Sequence, residues 1–313
     1  MATVAEIVAR PVAPDHPGAS SVAQLRGELE RQLADVTRDW DRAGGPLGVT
    51  KSRMLAAVRC PASVIAETTD LALSTPLVVG AVVDTAAAML LMSDKVPGPA
   101  PWLGALMPVL AQTEPDQARY IEDLSVESRH ELREIIEQKG RTLVRLLGDV
   151  RSLPGTAQEM FRVEFADSGV LLTGRTDLVL GRGARSVIEV KSGAVRPAHV
   201  DEAGFYALLA ALRDGVAPQT TVVVTLDPGT VTEYPVTLDS LEASAQRMIG
   251  TARPLVEIDQ AVAVGEWPAT NPSDFCAWCG VVQECPDAPD LARAEAEAAA
   301  ESPELDDGED EPW

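Results

Sequence analysis

The chain has 313 residues, 46% of them hydrophobic and 24% charged, with a formal net charge of −22 at pH 7. That length suits about two domains and is enough to bury a core, and the composition excludes wholesale disorder, collagen, a coiled coil and a small disulfide scaffold. A uniformly acidic surface would repel nucleic acids, membranes and acidic metabolites, so where the charge sits matters more than its sum.

Residues 1 to 20 are rich in Pro and Ala without a sustained period and read as a disordered leader. They lack a basic stretch followed by an apolar one, which points to a cytoplasmic protein. Ser20 to Trp40 reads as a helix on the spacing of Val22, Leu25, Leu29 and Leu33, closed by Gly44, Gly45 and Pro46. Thr50 to Thr68, Thr75 to Met92 and Ser125 to Val150 are further helices. The longest apolar run, Leu71 to Met92, carries Asp84 near its middle, so it reads as a buried helix and not a membrane span.

After Pro154 the pattern changes to short β-branched stretches: Met160 to Phe165, Gly169 to Leu180 and Ser186 to Val190. A helix from Pro197 to Leu212, strands at Gln219 to Leu226 and Thr230 to Thr237, and a helix from Leu238 to Ile258 follow. Three close cysteines and an acidic tail end the chain. From Asp287 to Trp313 there are eleven carboxylates and one base, Arg293, so close to half of the negative charge lies there. The tail reads as disordered and solubilising, or as a docking segment tipped by Trp313 for a partner protein.

The most informative stretch is Gly174-Arg175-Thr176-Asp177-Leu178-Val179-Leu180, a Gly-rich turn, then Val187-Ile188-Glu189-Val190-Lys191. In a hairpin symmetric about Gly183, Asp177 lies opposite Glu189, and Arg175 opposite Lys191. Directly opposed carboxylates repel unless a positive charge lies between them. Oxygen donors of this kind suit Mg²⁺ or Mn²⁺. Lys191, two residues beyond Glu189, projects from the same face of its strand. There it can orient a nucleophile and stabilise charge developing in phosphodiester hydrolysis. Glu-x-Lys is common by chance, and an exposed hairpin with a solvated ion pair is the plain alternative.

Four cysteines occur: Cys60, then Cys276, Cys279 and Cys285. If the chain closes Cys60 onto the later three, they make one Cys₄ site, which suits a 4Fe-4S cluster or a structural zinc; unrelated free thiols are the plain alternative. The arginines and lysine of the Ser125 to Val150 helix (Arg129, Arg133, Lys139, Arg141, Arg145) read either as a DNA surface or as a solvated face interleaved with Glu131, Glu134 and Glu137.

Gly174-x-x-Asp177, the turn, Glu189-x-Lys191 and the helix after them resemble the PD-(D/E)XK nuclease superfamily. More narrowly, they resemble RecB-type nucleases, among them CRISPR-associated adaptation nucleases and AddB-like subunits. Thr50-Lys51-Ser52-Arg53-Met54 running to Cys60-Pro61, Gly80 to Asp84, Glu202 to Tyr206 and the cysteine cluster extend the resemblance. Asp84 stands where those proteins carry histidine, and Glu202 where they carry glutamine. The resemblance implies an α/β restriction-endonuclease-like core, a mixed sheet flanked by helices, with a helical N-terminal extension and an iron-sulfur clasp. It implies a flexible leader and helix over 1–49, a nuclease domain over 50–286 and an acidic tail over 287–313. It further implies Asp84, Asp177 and Glu189 as ligands of Mg²⁺ or Mn²⁺, Lys191 placing the attacking water, and Glu202 and Tyr206 beside them. Cys60, Cys276, Cys279 and Cys285 would hold the 4Fe-4S cluster, shielded by Trp278. The implied activity is metal-dependent DNA cleavage, as an exonuclease on single strands or ends, in repair, end processing or defence. A helicase partner would be separate, since no GxxxxGK(S/T) motif occurs. The alternative is an inactive iron-sulfur subunit that binds DNA or assembles a complex.

Overall fold

Alternating apolar and polar residues between Gly155 and Pro235 build a mixed sheet with helices on both faces. The computed structural model describes residues 2–40, 45–68, 73–92, 102–290 and 292–293. Two compact units divide it. One comprises Met1–Lys51 with Ala72–Ala252, and the other Ser52–Leu71 with Arg253–Trp313.

The first unit contains the sheet. Its strands are β1 (Leu47–Val49), β2 (Gly155–Phe165), β3 (Val170–Leu180), β4 (Ser186–Ala194), β5 (Thr220–Asp227) and β6 (Thr230–Pro235). β2 and β3 pair antiparallel along their lengths. β1 lies parallel to β3 at Val170 to Leu172, and β4 joins β3 antiparallel only at Leu178 to Leu180. The β3–β4 register, Leu178 against Ile188 and Leu180 against Ser186, is that of a hairpin symmetric about Gly183. β4 and β5 are parallel, and β6 closes the order antiparallel to β5.

One face of the sheet packs Leu178, Leu180, Ile188, Val190, Val222 and Val224 into the main core. Against it lie α4 (Thr75–Met92), α5 (Trp102–Thr113), α6 (Pro115–Asp123) and α7 (Val126–Leu147). α4 is long and apolar enough to cross a membrane by length and composition. Its residues Val78, Val79, Val82, Val83, Ala86, Ala87 and Leu90 are instead buried in the core. Gly140 on α7 is required by packing, since a Cβ there would stand 2.7 Å from the Trp102 ring. The other face is covered by α8 (Ala198–Asp214), with α2 (Ala19–Val36) against α8.

The leader is not uniformly unstructured. α1 (Val4–Val8) is a short helix in which Thr3 and Glu6 cap each other and Val4, Ile7 and Val8 enter the core. Reciprocal capping satisfies two otherwise unpaired N–H groups, and the apolar spacing gives the turn a face to bury. α5 and α6 interrupt a stretch for which no element was expected. The helix expected over Thr50 to Thr68 divides into α3 (Lys51–Arg59) and a 3₁₀ helix, Pro61–Thr68, because Pro61 cannot continue the α-helical ladder.

The second unit joins two distant stretches of chain. Ala62 N donates to Ala269 O (3.0 Å), Asn271 Nδ2 to Arg59 O (2.9 Å), and the Arg59 guanidinium lies 3.9 Å from the Phe275 ring centroid. The tail's first residues are ordered here: Ala288 and Ala292 are buried beside Val282 and Cys285. Residues 294–313, including Trp313, lie outside the described residues, as does the Trp278 side chain.

Candidate active site

β4 diverges from β3 beyond Leu178 and Ile188, and the candidate residues collect there. Asp177 and Glu189 are the next residues on each strand, both buried. Asp177 Oδ2 accepts a hydrogen bond from Val190 N (2.6 Å), which fixes the carboxylate against β4. Glu189 Oε1 accepts from Lys191 Nζ (2.7 Å) and from Lys51 Nζ (2.9 Å), while its buried Oε2 has no hydrogen-bond partner among the described residues. Alternation along β4 turns Glu189 and Lys191 toward α8, where Glu202 Oε2 lies 2.6 Å from Lys191 Nζ and 3.3 Å from Lys51 Nζ. Tyr206, one turn further along α8, donates its hydroxyl to Arg175 O (2.9 Å). Gly174 leaves room for that ring, since a Cβ would come within 2.9 Å of Tyr206 Cε1. Asp84 arrives from α4.

The electrostatics describe three carboxylates short of positive charge. Burial raises Asp177 well above the ordinary carboxylate range, and Glu189 and Asp84 raise it further. Burial and Glu189 push Asp84 up to about 7 against the pull of Lys191, Arg175 and Lys51. Burial draws the Lys191 ammonium down, but Glu189 and Glu202 outweigh it and the opposing Lys51, so Lys191 is held above its ordinary value and stays charged. Lys51 is raised in the same way. Glu202, despite burial, is lowered by the two lysines. Its carboxylate is thus matched by Lys51, a cation that the motif reading did not assign to the site. Only contact shows this, because Lys51 opens a helix far from the hairpin in sequence.

An all-oxygen donor set containing a buried, unpartnered carboxylate oxygen suits a hard divalent cation. Among the described residues, however, no three His, Cys, Asp or Glu side chains are gathered as a ready ligand group.

Stability follows from these carboxyls with a definite sign. An acid raised on folding binds more protons folded than unfolded, so its contribution is full below the ordinary carboxylate range and is lost as pH rises through its folded value. For Asp84 that loss runs from the ordinary carboxylate range up to about 7 and is complete above it. In EDTA the melting temperature is therefore expected to rise as pH falls from about 7 to about 5, and Asp84→Asn to flatten the rise. An unchanged slope in that variant would remove Asp84 from the account.

Arg175 does not oppose Lys191, because the β3–β4 ladder ends first. Its guanidinium instead lies 3.8 Å from Glu114. Of the α7 cations, Lys139 is buried and pairs with Asp227, and Arg129 donates to the carbonyls of Glu122 and Leu124. These two are committed to the protein and not to a nucleic-acid surface.

In the second unit Cys60, Cys276, Cys279 and Cys285 line one small cavity of about 20 Å³. Asn271 N donates to Cys60 Sγ and Ser273 N to Cys276 Sγ, both at 3.3 Å. Burial pushes the Cys279 thiol up, the Val281 N–H lowers it, and the three other cysteines raise it. The four cysteines thus share one cavity, and the sulfurs of Cys60 and Cys276 accept backbone N–H hydrogen bonds there.

A mixed sheet flanked by helices, with acidic residues and a lysine where an antiparallel pair splays, has the organisation of a restriction-endonuclease-like fold. The model of the PD-(D/E)XK nuclease superfamily matches residues 54–286, and the chain belongs to that superfamily, whose members are usually hydrolytic nucleases. A solved structure titled "Crystal structure of SSO0001" is 14% identical, with 85% of this chain and 98% of the other covered and a TM-score of 0.35. That likeness is too distant to bear on function. No curated protein matches the chain.

Proposed function

We propose that the chain is a metal-dependent deoxyribonuclease of the RecB-like kind, with a 4Fe-4S cluster on its four cysteines, acting in DNA repair, end processing or defence beside a separate helicase. The observation that carries this reading is Glu189. One oxygen accepts from two charged lysines, the other is buried without a hydrogen-bond partner among the described residues, and Asp84 and Asp177 crowd it with negative charge. Asp84, Asp177 and Glu189 would hold Mg²⁺ or Mn²⁺, which when bound supplies Lewis acidity toward a phosphodiester and acidifies water. Lys191, kept charged, acts as a hydrogen-bond donor that orients the attacking water and offsets charge on the phosphoryl oxygens. Glu202 holds the Lys191 ammonium in place from the far side, and Lys51 supplies a second counter-charge to Glu202 and Glu189. Tyr206, tied to Arg175 O, keeps α8 against β3 at the same point.

Glu202 also supports a second reading. By placing another carboxylate on Lys191 it favours an iron-sulfur DNA-binding subunit without cleavage. Anaerobically purified protein, incubated with end-labelled single- and double-stranded DNA in Mg²⁺, Mn²⁺ or EDTA, separates the two. Metal-dependent cleavage is expected, and a brown, folded protein that binds DNA without cutting it supports the second.

A further inference from the structure

Four side chains of the first unit close a ring of alternating charge. Lys51 Nζ lies 2.9 Å from Glu189 Oε1 and 3.3 Å from Glu202 Oε2, and Lys191 Nζ lies 2.7 and 2.6 Å from the same two oxygens. The two ammoniums therefore share both acceptors, and each duplicates the contacts of the other. All four side chains are largely withdrawn from water, so salt screens these pairs little.

The place of Lys51 is built and not incidental. Glu202 and Tyr206 stand four residues apart on one face of α8, and the Lys51 ammonium lies 5.3 Å from the Tyr206 ring centroid as well as against Glu202. The Tyr206 hydroxyl is in turn fixed on Arg175 O. Glu189 from β4, with Glu202 and Tyr206 from α8, thus holds Lys51 from two elements.

The duplication bears on Lys191. A lysine that is the sole partner of two buried carboxylates is pinned, because turning it away strands both anions. With Lys51 on the same oxygens, Lys191 can release Glu202 and aim an N–H at water or at a phosphate oxygen while both carboxylates stay met. We propose that Lys51 is a positioning residue, which takes over Glu202 and so frees Lys191 for the reaction. The inference rests on the nuclease reading for that reaction, but not for the ring itself.

Wild type, Lys51→Met, Glu202→Gln and the double variant, each purified anaerobically, test it. Methionine keeps an unbranched stem and loses the charge. Lys51→Met is expected to lower kcat about tenfold or more, with KM for a labelled oligonucleotide within about twofold, since Lys51 acts through Lys191 and not on the strand. Once Glu202→Gln has removed the anion that competes for Lys191, the same replacement is expected to cost less than about threefold. Calorimetric titration with Mn²⁺ separates positioning from a structural role. Taking away a cation that contacts Glu189 is expected to tighten Mn²⁺ binding about threefold or more, whereas a variant with a damaged site would bind Mn²⁺ more weakly. In the double variant one charge of each sign is gone, and the affinity is expected to return toward that of the wild type. An unaltered rate in Lys51→Met, an equal loss with and without Glu202, or Mn²⁺ binding that does not tighten overturns the proposal and leaves the nuclease reading standing. Wild-type protein that takes up Mn²⁺ without cutting DNA overturns both, since no reaction then remains for Lys191 to serve.

Discussion

Lys191→Ala is expected to lower metal-dependent DNA cleavage about 10³-fold or more while the protein remains folded. The ammonium lies 2.7 Å from Glu189 Oε1 and 2.6 Å from Glu202 Oε2, so it is the cation shared by these two carboxylates. Removing it leaves two buried carboxylates, but Lys51 still contacts both, at 2.9 and 3.3 Å. The fold therefore keeps a counter-charge and the chemistry loses its donor. Asp177→Asn provides the complementary test. Taking one charge from a group of mutually repelling acids is expected to stabilise the metal-free protein at neutral pH, yet to abolish cleavage with it. Activity and thermal stability measured side by side on these two variants should move independently. If Lys191→Ala cleaves within tenfold of the wild type, the role assigned to that residue is wrong.

The second large effect concerns the cysteines. Cys279→Ser is expected to lose broad absorbance near about 400 nm together with bound iron, and to make the segment from Arg253 to Pro286 readily proteolysed. Cys279 lies among the other three thiols, beside the buried Val282, Cys285, Ala288 and Ala292. Four bonds to one centre would tie two distant stretches of chain together and restrict the unfolded chain. Iron and zinc analysis of the anaerobic wild type identifies the metal. Protein free of both metals and equally protease-resistant in the variant would rule out the clasp.

What was legible in the sequence follows from how local each signal is. The turn at Gly183 between alternating β-branched residues set the β3–β4 register, and with it the positions of Asp177 and Glu189. Thr75 to Met92 was readable because a long apolar run with one carboxylate has few alternatives. α5 carries Pro108 and α6 begins at Pro115, so breaker residues there masked helical segments that tertiary packing sustains. β1, three residues long, is held by pairing with β3 and has no pattern of its own. Lys51 was missed because it enters the site through contacts across more than a hundred residues of chain. α1 was legible in principle, since Thr3-x-x-Glu6 is a capping pattern, but the prolines after it drew the reading toward disorder.

The second unit is built from Ser52–Leu71 and from residues beyond Arg253, with the entire sheet between them in the chain. A ribosome therefore releases Cys60 long before its three companions exist. The sheet can collapse on its own during that interval, since domains fold as their residues emerge. Cys60 must wait as a solitary thiol, open to oxidation or to capture by stray metal, until residues 276–285 have been made. Chains cut short before Cys276 would carry Asp84, Asp177, Glu189 and Lys191 but lack three of the four cysteines.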